Sequence, residues 1–358
     1  MENISKQEFL FQLNLFKSIK IGILVLSNIY LGAPGKIKNM IQRYKRAIIL
    51  LIKAIISITI IFFIIRYVKI NINGLNKFEF RFNYYYLTIS FIILLIYILN
   101  QSFLWYYITI QNNCNIDLRT SIKSRVYSEF GKYVPGKVFG YAMLFYVYSK
   151  ANQSKTLVAF CMFFELLASV LAASMIFLFS LFFTEIQDFQ KYRIIALFLL
   201  VVFFILIHPR ILNYFIAIFL KIAKREPVKL NMTYYQLFKI VSLYVANFMV
   251  FGIGLVLFIN SIYPVSFSNY LFITGIMAGA GLIGLFAIFV PAGLGVREGI
   301  LTLALKEIMP ITFAGVISLA SRVWLILGEI ILFFMVFIYN LYLKKVSKNA
   351  IEIRSFDE

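Results

Sequence analysis

Two short stretches of the sequence place Pro and Gly beside fixed charges, in a chain that otherwise runs from one apolar segment to the next. The first covers residues 129–137 (EFGKYVPGK) and the second covers residues 290–299 (VPAGLGVREG). Pro removes a backbone donor and Gly admits unusual dihedral angles, so each stretch is expected to interrupt a helix. In a bilayer, the polar backbone groups freed in this way persist only inside protein or beside water. The two stretches therefore predict the floors of two cavities.

The chemistry that these stretches predict is the binding of an anion. Helices interrupted at Pro135 and Pro291 would direct free N–H groups at a phosphate. Charge-assisted hydrogen bonds from nearby cations are strongest where water is excluded. The candidate substrate-binding residues in the two stretches are Lys132, Pro135, Gly136 and Lys137, together with Pro291, Gly293, Gly295, Arg297 and Glu298.

Three further candidate site residues carry charge inside long apolar segments, namely Glu165, Arg322 and Glu329. A charge at the centre of a bilayer costs about 2.5–3.5 kcal/mol on insertion scales, so such residues usually have a function or a partner. Glu165 follows Pro135 by 30 positions and Arg322 follows Pro291 by 31. We therefore expect Glu165 and Arg322 to be equivalent and to form a buried pair with each other. The alternative is that they are satisfied polar groups that hold helices together.

Composition indicates a polytopic membrane protein. Of 358 residues, 62% are hydrophobic and only 14% are charged, against about 25% charged in soluble domains. The net charge of +20 comes from Lys and Arg that cluster between apolar segments, where they would face anionic lipid headgroups. Because no basic domain stands apart from these segments, nucleic acid is not an expected partner.

Neither a metal centre nor a cofactor is expected. Cys114 and Cys161 are 47 positions apart and His208 is the only histidine, so no Cys/His cluster can be assembled. Residues 279–284 (GAGLIG) match the dinucleotide-binding pattern, but they follow no strand and lie in an apolar run. Small residues at Gly275, Gly279 and Gly284 instead favour the close approach of two helices.

The apolar segments and the positive charges between them predict an all-α membrane protein with about six full crossings and two opposed re-entrant hairpins. Residues 1–46 form a cytoplasmic or interfacial segment, 47–343 the transmembrane domain, and 344–358 a tail, with both termini in the cytoplasm. The predicted crossings are residues 47–65, 84–104, 156–183, 194–207, 236–260 and 313–343. Residues 271–290 are long enough to span as well, but they end at the second stretch and are followed by a shorter apolar arm.

The spacing of these features predicts an inverted internal repeat, with halves of about 47–183 and 194–343. Pro135 and Pro291 are 156 positions apart, and the same offset maps residues 84–104 onto 240–260. Three crossings separate the two stretches, so the halves have opposite orientation. Interrupted segments in inverted halves indicate a substrate site near the midplane of a transporter. The alternative is two Pro-Gly turns in short loops.

At these residues the chain resembles the flippase-like transmembrane region of lysylphosphatidylglycerol synthases and its stand-alone relatives. The likeness covers residues 45–343 and rests on residues 131–138, residues 291–298, Glu165 and Arg322. It implies a lipid translocase fold whose cavities open to each leaflet and accept an anionic, aminoacylated or polyprenyl-linked headgroup. Ala292 stands where a glycine is expected. The soluble aminoacyl-transferase domain of the synthases is missing, so lysyl transfer is not implied.

The predicted function is a flippase-like transporter in the bacterial inner membrane, with a membrane lipid as its substrate. A membrane-embedded transferase acting on a lipid-linked substrate is the first alternative, with Glu165, Glu298 and Glu329 as candidate bases. A non-transporting scaffold that accompanies an envelope-biosynthesis enzyme is the second.

Overall fold

The computed structural model describes residues 82–131, 138–206, 208–222, 233–286 and 295–354. These residues are almost entirely helical and contain no β-strand. A 3-10 turn at Phe267–Asn269 precedes the helix that begins at Tyr270. The α-helices of the described residues are α1 (Tyr84–Gln111), α2 (Leu118–Gly131), α3 (Val138–Lys150), α4 (Lys155–Phe183), α5 (Gln187–Gln190), α6 (Arg193–Leu206), α7 (Pro209–Ile222), α8 (Tyr234–Asn260), α9 (Tyr270–Phe286), α10 (Val296–Leu305) and α11 (Ile311–Arg354).

Five segments of the described residues are long and apolar enough to cross a membrane. They are Tyr84–Gln111, Lys155–Phe183, Tyr234–Asn260, Phe267–Leu285 and Ile311–Leu343. The prediction of an all-α polytopic membrane protein is therefore confirmed. The predicted crossing at residues 47–65 lies outside the described residues. The predicted crossing at 194–207 is the apolar helix α6, whose 14 residues are fewer than the ~20 that a crossing helix needs.

Short polar residues decide where helices α1 and α2 begin. The Asn83 side chain accepts hydrogen bonds from the backbone N–H groups of Tyr85 and Tyr86, at 3.1 and 3.2 Å, and so caps α1. Asp117 caps α2 by accepting from the N–H of Thr120 at 2.9 Å. The hydroxyl and N–H of Thr120 hold the pKa of the Asp117 carboxyl below its usual range. The apolar run predicts that α1 is a helix. The capping side chains determine at which residue α1 and α2 begin.

Helices α1 and α8 form the centre of the described structure. They run antiparallel, since the N–H of Asn83 before α1 donates to the carbonyl of Ser261 after α8 at 3.0 Å. Each helix contributes to both large buried clusters. One cluster surrounds Trp105 and Tyr244, and the other surrounds Trp324. The remaining long helices pack around this pair.

Glycine allows α4 and α9 to pack closely. A Cβ added to Gly275 would overlap the side chain of Ser180, and one added to Gly279 would lie 2.6 Å from the Phe177 ring. The residues thus pair in antiparallel order along the two helices. This confirms that small residues at Gly275 and Gly279 serve helix packing.

Candidate functional site

A cavity of about 450 Å³ lies among the long helices and draws on both halves of the chain. Its volume falls within the range of sites for small ligands, about 300–1,000 Å³. Most of the lining is apolar or aromatic, with Tyr97 and Gln101 adding hydroxyl and amide groups. Five charged residues line it, namely Arg125, Glu129, Glu165, Arg297 and Glu329.

The charge of Arg125 is neutralised on two sides. Its Nη1 lies 2.8 Å from the carboxylate of Glu129, one turn further along α2, and its Nη2 lies 2.8 Å from Oε1 of Glu165 on α4. Tyr244 of α8 donates a further hydrogen bond to the same Glu165 oxygen at 3.4 Å. The guanidinium also lies 6.0 Å from the centre of the Trp105 ring. Arg125 and Glu165 therefore join α2 to α4.

A second buried ion pair joins α10 to α11. Arg322 donates to Oε1 of Glu298 at 2.6 Å, and Glu298 is only 4% exposed. The other oxygen of Glu298 accepts the N–H of Gly295 at 2.6 Å, as a glutamate at the third helical position often does. Gly295 has φ 83°, a left-handed conformation that favours glycine. This turn and the carboxylate together set the start of α10.

The expected pair between Glu165 and Arg322 was wrong. Each residue pairs with a charge on a short helix, Glu165 with Arg125 and Arg322 with Glu298. The physical reason is proximity in space, because the Arg125 side chain of α2 reaches the Glu165 carboxylate of α4, and α10 packs against α11 near Arg322. The sense of charge is reversed between the two pairs. In one the base belongs to the short helix, and in the other the acid does.

Arg297 is held differently from the other charged residues of the cavity. It follows directly from the turn at Gly295, and the neighbouring carboxylate of Glu298 is bonded to Gly295 and Arg322 instead. Its Nη2 donates to the sulfur of Met277 at 3.5 Å, a weak acceptor. None of the ion pairs formed within the described residues includes Arg297. Its guanidinium is thus available to an anion in the cavity.

The structure brings three of the predicted site residues to the cavity, namely Glu165, Arg297 and Glu329. Gly295, Glu298 and Arg322 form the turn and the ion pair beside it. The remaining predicted site residues lie outside the described residues, and they are Lys132, Pro135, Gly136, Lys137, Pro291 and Gly293.

Sequence reasoning missed Arg125, the partner of Glu165. In the sequence it is one of several Lys and Arg residues between two apolar segments, which are expected to face lipid headgroups. Its spacing of four positions from Glu129 could have revealed it, since an Arg and a Glu at that spacing share one helix face. The sequence pattern could not have predicted the roles of Tyr97, Gln101 and Tyr244, because tyrosine and amide residues occur throughout this sequence.

A comparison with known protein families matches the part of the chain that forms the cavity and both ion pairs. A family model described as the lysylphosphatidylglycerol synthase TM region matches residues 50–333, well over half of the chain. The protein belongs to this family. The match confirms the resemblance drawn from the two Pro-Gly stretches, and it indicates a membrane protein related to lipid modification or transport. No curated protein gives a significant match to the chain. All five charged residues that line the cavity lie within the matched range.

Proposed function

We propose that the protein moves a phosphate-bearing lipid between the leaflets of a bacterial inner membrane, with the headgroup held in the central cavity. The observation that carries this proposal is Arg297, whose guanidinium lines the cavity and forms no ion pair within the described residues. A guanidinium binds phosphate through two parallel hydrogen bonds, and such bonds are strong where water is scarce. Anionic, aminoacylated and polyprenyl-linked headgroups can all offer a phosphate to Arg297.

The second guanidinium of the cavity is a poor site for an anion. Two carboxylates already bind Arg125, each at 2.8 Å, so an incoming phosphate would meet their negative charge. The phosphate is therefore placed at the Arg297 side of the cavity. Arg125 keeps α2 attached to α4.

The order of the helices supports two equivalent halves. Shifted by 156 positions, α1 to α4 fall at residues 240–267, 274–287, 294–306 and 311–339, which α8, α9, α10 and the first part of α11 largely occupy. The equivalent helices α1 and α8 run antiparallel. Opposite directions of equivalent helices are what an inverted repeat requires.

By the same correspondence, α2 and α3 form the hairpin of the first half, and α9 and α10 form the hairpin of the second half. In the first hairpin, a Cβ added to Gly140 would meet the carbonyl oxygen of Ser128, so α2 and α3 pack closely. With 14 and 13 residues, each is too short to span alone. We place the first hairpin in the membrane from the cytoplasm and the second from outside. Helix α6 would cross only together with the residues at its ends, Lys191, Tyr192 and His208. The six full crossings of the proposal are then residues 47–65, α1, α4, this extended α6, α8 and α11, with both termini cytoplasmic.

Two ion pairs supply a mechanism for alternating access. Each short helix of a hairpin is bonded to the long helix that follows, through Arg125 and Glu165 in one half and Glu298 and Arg322 in the other. Removing one partner of such a pair costs several kcal/mol, so each contact favours a single arrangement of its hairpin. Movement of one hairpin while the other stays bonded would open the cavity to one leaflet at a time.

The first prediction concerns Arg297→Gln in purified protein reconstituted into liposomes. Transfer of fluorescent phosphatidylglycerol between leaflets, followed by quenching with a membrane-impermeant reductant, is expected to fall about tenfold to a hundredfold. A hydrogen bond to a charged group contributes about 1.5–3 kcal/mol, which corresponds to that range. The matched control is Arg119→Gln, an exposed arginine of α2 that does not line the cavity.

Each outcome separates the candidate functions. Transfer by Arg297→Gln at the wild-type rate would contradict the proposal. A new lipid product formed with a sugar or aminoacyl donor, without transfer, would favour the membrane-embedded transferase. The absence of both activities would favour a scaffold for an envelope-biosynthesis enzyme.

A further inference from the structure

Helix α7 lies at the end of the bundle where α8 begins. The ring of His208, just before α7, is 6.2 Å from the ring of Tyr234, the first residue of α8. A helix that continued outwards from this level would leave the bundle. Leu212 and Ile216 of α7 are instead buried, in the same cluster as Leu237, which lies one turn inside α8. Helix α7 therefore packs against this end of the bundle.

A second face of α7 is also apolar, but it is exposed. Tyr214, Ile218 and Ile222 follow one another at a spacing of four, so they share one face, and they are 65%, 39% and 77% exposed. Leu212 and Ile216 are each two positions from Tyr214, which places them about 200° around the helix. With 14 residues, α7 is too short to cross a bilayer and so to bury its exposed face as a crossing helix does.

Basic residues border the exposed apolar face. Arg210 and Lys221, at the two ends of α7, are exposed and lie within about 40° of Tyr214 around the helix. From residue 210 to residue 229 the sequence contains five basic residues and one acidic residue. Clusters of Lys and Arg on an amphipathic helix attract anionic lipids. The headgroup layer of a membrane offers phosphate and hydrocarbon together, which is the combination that this face requires.

We infer that α7 lies flat in the surface of the membrane and binds anionic lipid headgroups. Tyr214, Ile218 and Ile222 lie among the upper parts of the acyl chains, and Arg210 and Lys221 bind phosphates beside them. Among the described residues of α7, none lines the cavity, so this surface is separate from the cavity. The inference therefore goes beyond the proposed transport function and does not depend on it.

The buried face of α7 links this surface to the first ion pair. Leu212 and Ile216 belong to the cluster that contains Phe164, the residue before Glu165. The same cluster contains Tyr244, which donates a hydrogen bond to Glu165. Binding of headgroups by α7 thus fixes this part of the bundle relative to the membrane surface.

The second prediction is that three positions along α7 lie at one depth in the bilayer. Single cysteines, Tyr214→Cys, Ile218→Cys or Ile222→Cys, are introduced into the full-length protein with Cys114→Ala and Cys161→Ala, and each is labelled with a small fluorophore. Quenching in liposomes by lipids that are spin-labelled at shallow or deep acyl positions gives the depth. The three depths should agree, whereas an upright helix would spread them over about 12 Å, because each of eight residues rises 1.5 Å.

The matched control uses exposed residues on one face of the crossing helix α1. They are Ile92, Ile96 and Phe103, which are 53%, 47% and 41% exposed. Fluorophores at Ile92→Cys and Phe103→Cys should differ in depth by about 16 Å, because eleven residues separate them along the helix. All the substituted side chains are exposed, so thermal unfolding in detergent should match that of the cysteine-free parent.

A comparison of two lipids tests the anionic headgroup. Phosphatidylglycerol or phosphatidylcholine, spin-labelled at the same acyl position, is added to liposomes of otherwise equal composition. Phosphatidylglycerol should quench the fluorophore at Ile218→Cys more strongly. Arg210→Gln and Lys221→Gln should each reduce this preference about fivefold, since one basic residue near a membrane surface contributes about 1 kcal/mol. Arg119→Gln, at an exposed position of α2, should leave the preference unchanged.

Each outcome supports or contradicts the surface helix. Depths along α7 that spread like those along α1 would show an upright helix. Fluorophores that neither lipid quenches would show that the face lies in water, or under a protein partner if aqueous iodide also fails to quench them. A preference that Arg210→Gln and Lys221→Gln leave unchanged would exclude the anionic site. Equal depths with a reduced preference would support the inference, even if Arg297→Gln transfers lipid at the wild-type rate.

Discussion

At the scale of single residues, two buried glutamates differ in what they position. Glu165, 7% exposed, neutralises Arg125 and accepts a hydrogen bond from Tyr244. Glu298 neutralises Arg322 and also accepts the N–H that begins α10. Because both oxygens of Glu298 are engaged in this way, the adjacent Arg297 is left to face the cavity. A carboxylate that does not itself line the cavity thus influences which guanidinium faces it.

The third prediction belongs to this scale and concerns Glu165→Gln. Arg125 would keep Glu129 but lose its buried partner, and breaking a buried ion pair costs about 3–5 kcal/mol. With Glu129 retained, we expect a loss at the lower end, about 3 kcal/mol. Thermal unfolding of the purified protein in detergent measures it, with the exposed Glu185→Gln as the control. An unfolding temperature equal to that of the wild type would show that Glu165 has no structural role.

At the scale of elements, the glycines of α9 show which face of this helix meets α4. Gly275 and Gly279, about one turn apart, face Ser180 and Phe177 of α4, and they let the two backbones approach. Gly281 lies about 200° around the helix from Gly279, so it points away from this contact and lines the cavity. Helix periodicity therefore separates the packing face of α9 from its cavity face.

The fourth prediction compares Gly275→Ala with Gly281→Ala. The methyl group at residue 275 would overlap Ser180, so we expect a destabilisation of about 1–3 kcal/mol, measured by thermal unfolding in detergent. Gly281→Ala should unfold at or slightly above the wild-type temperature, because alanine favours a helix over glycine. Ser180→Gly should recover much of the loss when combined with Gly275→Ala. Equal changes in unfolding temperature for Gly275→Ala and Gly281→Ala would argue against the close contact between Gly275 and Ser180.

At the scale of the whole molecule, the inverted halves that we propose require the two connections before the hairpins to lie on opposite faces of the membrane. Asn115 lies in the connection before α2, and Ser266 lies in the connection before α9. Both residues are exposed. The first connection is followed by many basic residues and the second is uncharged, so we propose that the first lies in the cytoplasm.

The fifth prediction tests this orientation with single cysteines at Asn115 and Ser266. The background carries Cys114→Ala and Cys161→Ala, since both native thiols are free and buried. A membrane-impermeant maleimide added to spheroplasts should label the cysteine at 266 and should label the one at 115 only after lysis. Labelling of both from outside would exclude inverted halves.

Much of the fold could be predicted from local sequence. The apolar run at 84–104 lies within α1, and the run at 156–183 matches α4 to within one residue. The membrane itself causes this agreement, because a long apolar segment in hydrocarbon must satisfy its backbone hydrogen bonds internally and therefore forms a helix. The family assignment likewise rested on contiguous motifs.

The sequence by itself determined that this is a helical membrane protein of the lysylphosphatidylglycerol synthase family. It also predicted Glu165, Arg297 and Glu329 as site residues, and all three line one cavity in the structure. Only the tertiary structure decided which charges neutralise one another and which one faces the cavity. The partners of Glu165 and Arg322 lie 40 and 24 positions away in the chain. Electrostatic attraction falls with distance in space, and that distance depends on which helices pack together rather than on spacing along the sequence.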